Sequence, residues 1–325
     1  MKIGFYDDYR PCLVKENGVI DIMDDVQHLP WGDSPQLLME KIIINWDALR
    51  PRLEDKWNSA TPSKSLQDAR LRAPVPRPGK VLMGQGNFME TVKIDPPRPL
   101  STFFKSPDAV IGDGDTVVLP RFRPVIFNHE AELCVVIGQP AKEVSEAEAL
   151  RHVFGYTTGV DVSARAPEPG EAALAGNYGK SFDTFLPIGP HITTADEIDD
   201  PNNLRVQYWI NERLRQDYNT SDMEHSVALM IATLSWNMTL KPGDLIMCGT
   251  NHGNLGPMQD GDLGEIEIEK VGRSSHRVVD DLKRTWDPNV VRNPADNAAR
   301  RETMKTAPNA GTWPFQAVGG QAREP

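Results

Sequence analysis

The stretch Phe127–Ile137 reads FNHEAELCVVI and sets Glu130 and Glu132 one residue apart in a run that otherwise favours a buried strand. Side chains at i and i+2 of a strand point to the same face. Glu130 and Glu132 then share one face, while Ala131, Leu133, Val135 and Ile137 pack into a core on the other. Two like charges side by side destabilise a sheet. At a rise of about 3.3 Å per residue their Cβ atoms stand roughly 6.6 Å apart, so both carboxylates can converge on one point above the strand. A divalent cation at that point turns repulsion into ligation. A third acid, Asp161, lies between Val160 and Val162 in GYTTGVDVSAR, and an acid in an apolar run needs a partner. Three carboxylates suit a hard cation, Mg²⁺ or Mn²⁺, rather than zinc. The competing account is a pair of solvated strand glutamates, the common fate of charged side chains.

Cations follow the acids. Lys180, in GNYGKSFDTFLPIGP, lies between Gly179 and Ser181. It is either a surface lysine or a cation facing a substrate carboxylate, because three acids around one divalent ion leave surplus negative charge. Arg165 can serve the same purpose with two parallel hydrogen bonds. The segment LIMCGTNHGNLGP ends a strand in Gly-Thr and opens into a glycine-rich loop. Such a loop presents backbone N–H groups and the Thr250 hydroxyl to an oxyanion. His252 sits in the same loop, either shaping it by a hydrogen bond or moving a proton.

These side chains must be positioned by the rest of the chain. Its 325 residues make one large domain, or a main domain with a small companion, and allow a sizeable core. Residues 1–60 read as a small N-terminal unit of short strands, with an Asn-Gly hairpin signal in KENGV, followed by a helix over QLLMEKIIINWDALRPRLEDKW. The proline-rich stretch 61–79 reads as a linker. From 80 to 273, Gly-Asp turns precede apolar β-branched runs such as LIMCGT and LGEIEIEKV, the pattern of antiparallel sheet. Two helices interrupt. One opens with the capping box Ser145-x-x-Glu148, carries Ala147, Leu150 and Phe154, and stops at Gly155. The other places Met223, Val227, Met230, Ile231 and Leu234 on one face. Strands outnumber helices without regular βαβ alternation, so the expected class is a β-rich α+β fold. Residues 274–325 form a polar extension with GTWPF as its only apolar anchor, either partly ordered or an arm packing on a neighbouring subunit.

Charge and cysteines narrow the function. Lys+Arg is 35 against Asp+Glu 46, a formal net charge of -11, which argues against nucleic acid as a partner. No apolar run reaches membrane-spanning length, and MKIGFYDDYR has no signal-peptide core. Cys12, Cys134 and Cys248 are too few and scattered for a disulfide framework, and reduced thiols suit the cytoplasm.

In order along the chain, FFKSP, HEAELCVVIG, GYTTGVDVSAR, GKSFDTFLPIGP, NERLRQDYNTSDM, LKPGDLIMCGT and DGDLGEIEIEKVGR resemble the fumarylacetoacetate hydrolase family from about Lys80 to Arg273. The resemblance implies a catalytic domain of mixed β-roll or sandwich type beside the small N-terminal domain. It also implies a homodimer and Mg²⁺ (or Mn²⁺) held by Glu130, Glu132 and Asp161. Lys180 and Thr250 carry over as catalytic residues, and Arg165, Gln216, Lys105 and Tyr178 as substrate contacts. Substrates of such proteins are mostly 2-oxo or 1,3-dicarbonyl acids such as acylpyruvates.

Departures from the family pattern touch the chemistry. Many members carry Asn-Tyr-x-x-His-x-x-Glu on a lid, where the histidine and glutamate activate water. Here Asn87-Phe88 match the start, but Thr91 and Ile94 occupy the histidine and glutamate positions, and neither acts as a base at neutral pH. GTNHG replaces the common Gly-Thr-Pro and brings His252 beside the expected substrate site. There it either holds the loop by a hydrogen bond or, if a substrate bond is hydrolysed, replaces the missing base, a role also open to Glu90. Ala166 stands where an aspartate is usual, which would leave Arg165 freer to meet substrate. The expected activity is metal-assisted C–C hydrolysis of an acylpyruvate-type acid through an enolate. Decarboxylation, dehydration or isomerisation of a 2-oxo acid, which need no hydrolytic water, are the alternatives, together with a metal-binding relative that has lost catalysis.

Overall fold

The computed structural model describes residues 1–90, 97–121, 126–165 and 178–289. Thr91, Ile94, Ala166 and the GTWPF segment lie outside them. The fold is the β-rich α+β class expected, built on an eleven-stranded sheet and a five-stranded sheet. Along the large sheet the main order is Gly18–Asp21, Arg10–Lys15, Lys2–Tyr6, Leu186–Thr194, Val153–Val160, Ala131–Ile137, Leu245–Met247, Val81–Gln85 and Ser101–Lys105. The N-terminal unit is thus stitched into the same sheet as the rest of the chain, with Lys2 opposite Thr193. The proline-rich stretch adds to it, since Leu71–Arg72 pairs with Lys2–Tyr6.

Ala131–Ile137 lies mid-sheet and is buried at every residue, because apolar material covers both of its faces rather than one. Its pairings are antiparallel, as is most of the sheet. Leu245–Met247 and Val81–Gln85 instead run parallel, with Met247 opposite Met83. Two parallel neighbours release their following loops at the same end of the sheet, and this exception to the antiparallel expectation, one of three parallel pairings among the described strands, organises the site.

The second sheet runs Arg213–Asn219, Arg205–Ile210, Leu263–Ile268, Gly272–Val279 and Thr116–Val118. Gly272–Val279 continues as a strand past residue 273. The sheet docks on the central strand through Tyr218, whose hydroxyl donates to the Ala131 carbonyl. The hairpin in the N-terminal unit turns at Glu16 and Asn17, and Gly18 already begins the return strand opposite Lys15. A Cβ on Gly18 would lie 2.3 Å from the Lys64 carbonyl oxygen.

Helices depart from the sequence pattern where tertiary pairing overrides propensity. The long N-terminal helix is two, Pro35–Ile44 and Trp46–Ser59, broken at Asn45. The helix begun at Ser145 spans only Glu146–Ala149 and passes through a 3₁₀ turn, and Phe154 and Gly155 belong to the buried strand Val153–Val160. Val227–Asn237 is capped by Ser226, which accepts from Leu229 N–H, and buries Val227, Met230, Ile231 and Leu234. Met223 falls ahead of it in a bridge to Phe88. Cys12, Cys134 and Cys248 are free and buried. Among the described residues, no helix is long and apolar enough to cross a membrane.

Candidate active site

Strand register assembles the acids. Ala131 pairs with Val160 and Glu132 with Gly159, and the next step along the ladder sets Glu130 beside Asp161, whose N–H donates to the Glu130 carbonyl at 2.8 Å. Glu130, Glu132 and Asp161 are all buried, and one carboxylate oxygen from each lies within 4.8 Å of the others.

Three cations answer them. Lys105, at the end of Ser101–Lys105, has no exposed side-chain surface and donates from Nζ to Asp161 Oδ1 at 2.6 Å. Lys180 reaches Glu130 Oε2 at 3.0 Å, Ser163 Oγ at 2.8 Å and Asp161 Oδ2. Arg165 donates from Nη2 to Glu130 Oε1 and from Nε to Asn128 Oδ1 at 3.1 Å. All three were expected at a substrate; the structure places them on the carboxylates. Lys105 in particular is fully buried against Asp161, and Arg165 is engaged by Glu130 and Asn128. Buried carboxylates draw in whatever cations lie within reach, because an uncompensated charge in the interior is costly.

The balance is uneven. Burial would raise the Glu130 pKa, but Arg165 and Lys180, helped by His252, hold it well below the usual carboxylate range. Burial would likewise lower Lys180, yet Asp161 and Glu130 outweigh it and raise its pKa. Lys105 goes the other way: burial drives its pKa down in spite of Asp161. Glu132 has no ion pair among the described residues. It accepts one hydrogen bond, from Gly249 N–H at 2.8 Å, and burial together with Asp161 and Glu130 pushes its pKa well up. Glu132 decides whether a divalent cation fits. It is an acid 1% exposed, aimed at the point where its two neighbours converge, with no lysine or arginine of its own. The oxygen spread is comparable with the coordination shell of a single hard ion, about 4 Å across. The residues present fit such an ion.

Gly249 can serve Glu132 because its φ of 86° is left-handed, a conformation open to glycine. A Cβ there would lie 3.1 Å from Asn87 Cβ. Asn87 is itself a buried cross-link, accepting from His225 N–H and donating to the His225 and Cys248 carbonyls.

Beyond Gly249 the loop carries Thr250 and His252, and the loop after Val81–Gln85 carries Glu90. Parallel strands bring the two loops together although 162 residues separate them. His252 Nδ1 lies 2.6 Å from Glu90 Oε1, which also accepts from His252 N–H at 3.1 Å. Asp222 Oδ2 clamps both loops, accepting from Glu90 N–H at 3.0 Å and from Asn251 Nδ2 at 2.9 Å. Glu90 holds a left-handed φ of 59°, a strained conformation of the kind found where geometry serves function. The side chain of His252 is 17% exposed and that of Glu90 5%, so His252 is the more open member of the pair. A histidine-carboxylate pair thus forms, its His252 close enough to Glu130 to lower the pKa of that acid, and it is built from residues other than those at the family's lid positions.

Thr250 accepts from Gln216 Nε2 at 2.8 Å. Tyr178 is 73% exposed. Asp222, Asn128 and Ser163 escaped the sequence argument. Ser163 carried a faint signal, standing two residues after Asp161; Asp222 carried none.

The model of the fumarylacetoacetate (FAA) hydrolase C-terminal domain matches residues 80–279. The chain belongs to the fumarylacetoacetate hydrolase family. Within that family it is 32% identical over 287 residues to maleylpyruvate hydrolase of Aquipseudomonas alcaligenes, covering 84% of this chain and 97% of that protein. It is 35% identical over 226 residues to an oxaloacetate tautomerase of Bacillus subtilis, covering 66% and 74%. Among solved structures, maleylpyruvate hydrolase from Sphingobium sp. SYK-6 in complex with manganese(II) and pyruvate superposes with a TM-score of 0.77 at 32% identity, over 86% of this chain and 99% of that one. This family member therefore has relatives named for hydrolysis and for tautomerisation, and the acid cluster alone does not separate the two.

Proposed function

We propose that the protein is a divalent-metal-dependent enzyme that hydrolyses a C–C bond of an acylpyruvate-type 2-oxo acid, with Glu130, Glu132 and Asp161 holding Mg²⁺ or Mn²⁺. The observation that carries this is the His252–Glu90 pair, which supplies the base that hydrolysis needs. The metal, when bound, supplies Lewis-acid polarisation of the 2-oxo acid. Glu90 engages Nδ1, leaving His252 Nε2 to take a proton from water. The hydroxyl of that water adds to the acyl carbonyl carbon. The bond between that carbon and C3 then breaks, its electron pair staying with the pyruvate fragment, and the proton returns from His252 to C3. Acylpyruvate and water become a carboxylic acid and pyruvate. Thr250 donates a hydrogen bond to a substrate oxygen.

Charge supports a particular substrate class. Lys105, Lys180 and Arg165 already offset the three carboxylates, so with a divalent ion the acid cluster itself, Glu90 aside, carries two positive charges in surplus. A dianion, such as an acylpyruvate with a second carboxylate, matches that surplus. The manganese and pyruvate in the Sphingobium relative agree with this reading.

The test is to follow maleylpyruvate with Mn²⁺ or Mg²⁺ by loss of its dicarbonyl absorbance and by release of pyruvate. Metal-dependent cleavage is expected. Keto-enol exchange of oxaloacetate without cleavage of any acylpyruvate would shift the assignment to a tautomerase or related lyase, and metal uptake with neither would leave a binding protein. The homodimer implied by the resemblance belongs to the same proposal, and light scattering at micromolar concentration checks it.

A further inference from the structure

Every hydrogen-bonding position of the Gln216 amide is filled. Its Oε1 accepts from Ala131 N–H at 3.2 Å and lies 2.9 Å from His129 Nδ1, and its Nε2 donates to Thr250 Oγ1 and to the Asn251 carbonyl, both at 2.8 Å. An amide side chain has two acceptor and two donor positions. Its orientation is fixed by the backbone: Ala131 N–H only donates and the Asn251 carbonyl only accepts, so exchanging the ends would oppose donor to donor and acceptor to acceptor. His129 Nδ1 faces an oxygen and must carry the proton. Its Nε2 is then an acceptor, and Gly256 N–H points at it from 3.3 Å. The ring is held in plane by stacking on Tyr208, centroids 4.4 Å apart. Donation therefore runs one way, from Gly256 to His129 to Gln216 to Thr250.

Thr250 stands at the end of this chain. Its oxygen already accepts from Gln216, so its own proton must go elsewhere. The two acceptors it meets among the described residues are the Asn251 carbonyl and Tyr218 Oη, both at 3.4 Å, well beyond the 2.7–2.8 Å or so of a strong O–H···O bond. Tyr218 spends its own proton on the Ala131 carbonyl. We propose that this buried one-way chain makes Thr250 an obligate donor to a substrate oxygen, and that Gln216 and His129 are positioning residues which act through Thr250 and do not touch substrate. Thr250 then offers its proton to a carboxylate or carbonyl oxygen of the substrate. The proposal rests on the assignment of the site to a 2-oxo acid, and it reverses the expectation that Gln216 is itself a substrate contact.

The experiment is a double-mutant cycle on Mn²⁺-loaded protein, with pyruvate affinity read by titration calorimetry and Mn²⁺ affinity measured in parallel. Thr250→Val should weaken pyruvate about tenfold or more, the effect of one hydrogen bond to a charged group. Gln216→Met should weaken it by a similar factor, and the double variant by no more than Thr250→Val alone, with Mn²⁺ affinity unchanged throughout. A full further loss on adding Gln216→Met to Thr250→Val would show Gln216 acting on substrate directly and overturn the proposal. If Gln216→Met does not fold, His129→Leu and His129→Asn carry the same test. The leucine should weaken pyruvate several-fold only while Thr250 is present, and the asparagine, whose side-chain N–H stands near the place of Nδ1, should restore most of it. Equal losses from both substitutions would overturn the proposal. Wild-type protein that takes up neither Mn²⁺ nor pyruvate would overturn the assignment of the site, and this proposal with it.

Discussion

His129 and His252 both lie close to Glu130, one as its neighbour in the chain and the other from a loop more than a hundred residues away, yet their surroundings prepare them for opposite tasks. His129 is wholly buried, bonded to the amide of Gln216 and stacked on Tyr208. Burial, reinforced by Arg215 and His276 against the Gln216 bond, pushes its pKa down to about 3. Its ring stays neutral and its proton stays put, which is what a fixed hydrogen-bond chain requires. His252 is partly open to solvent and bonded to the carboxylate of Glu90. A carboxylate balances the charge of an imidazolium; an amide does not. The partner and the exposure, rather than adjacency to the acids in sequence, are the grounds for proposing His252 and not His129 as the base.

The largest effect should come from removing Glu132, the acid of the cluster that has no ion pair among the described residues. Glu132→Ala should abolish the stabilisation that Mn²⁺ or Mg²⁺ confers on the wild type, which at a hundredfold excess over Kd is about 2.7 kcal/mol. Thermal unfolding with and without metal measures it. Equal metal stabilisation in wild type and variant would show the cluster to be misassigned.

Next comes His252, the proposed base. His252→Asn keeps a hydrogen-bonding group but cannot take up a proton, and turnover should fall roughly 10²–10⁴-fold. Glu90→Gln preserves shape and removes the charge that balances the imidazolium, so turnover should fall by a smaller factor, about tenfold or more, with Mn²⁺ affinity unchanged. Turnover of His252→Asn within a few-fold of wild type would reduce His252 to a loop prop and erase the contrast with His129.

How much of this was legible beforehand depends on how far apart in the chain the cooperating residues lie. The acid trio was readable because Glu130 and Glu132 alternate within one strand and Asp161 interrupts an apolar run, both local signals. Glu90 and His252 could each be named as a candidate base, but nothing local joins them. Their meeting depends on Leu245–Met247 and Val81–Gln85 running parallel, in a chain whose turn chemistry advertises antiparallel pairing. Gln216 was found by motif, but its hydrogen bonds to His129, Ala131, Thr250 and Asn251 join segments far apart in the chain and are visible only in three dimensions. Lys105 is the same: sequence marks a lysine after two phenylalanines, and only the fold shows it buried against Asp161. Phe154 and Gly155 carried a helical stop signal that strand pairing overrode.

The smallest effect concerns the far end of the column that holds His129 in place. Tyr208 stacks on His129 and its hydroxyl lies 3.1 Å from Nε2 of His276, which is 1% exposed. Burial pushes the His276 pKa down to about 4, while in the unfolded chain it is near 6.5. Above pH 6.5 both states leave the ring neutral and His276 contributes no pH dependence. As pH falls from 6.5 towards 4, the unfolded chain takes up a proton that the folded protein refuses, so stability drops with falling pH. The drop between pH 7 and 5 amounts to roughly 2 kcal/mol from this ring, at 1.4 kcal/mol per pH unit. His276→Gln keeps a polar partner for Tyr208 and cannot titrate, so its stability should decline less steeply over that interval. His191, also buried with its pKa lowered to about 4, contributes equally to both proteins and cancels in the difference. Denaturant unfolding of wild type and variant at pH 7 and 5 measures the two slopes. Parallel slopes would show that His276 accepts a proton in the folded state, and that the column beneath His129 is open to water in a way that the neutral, one-way chain to Thr250 does not allow.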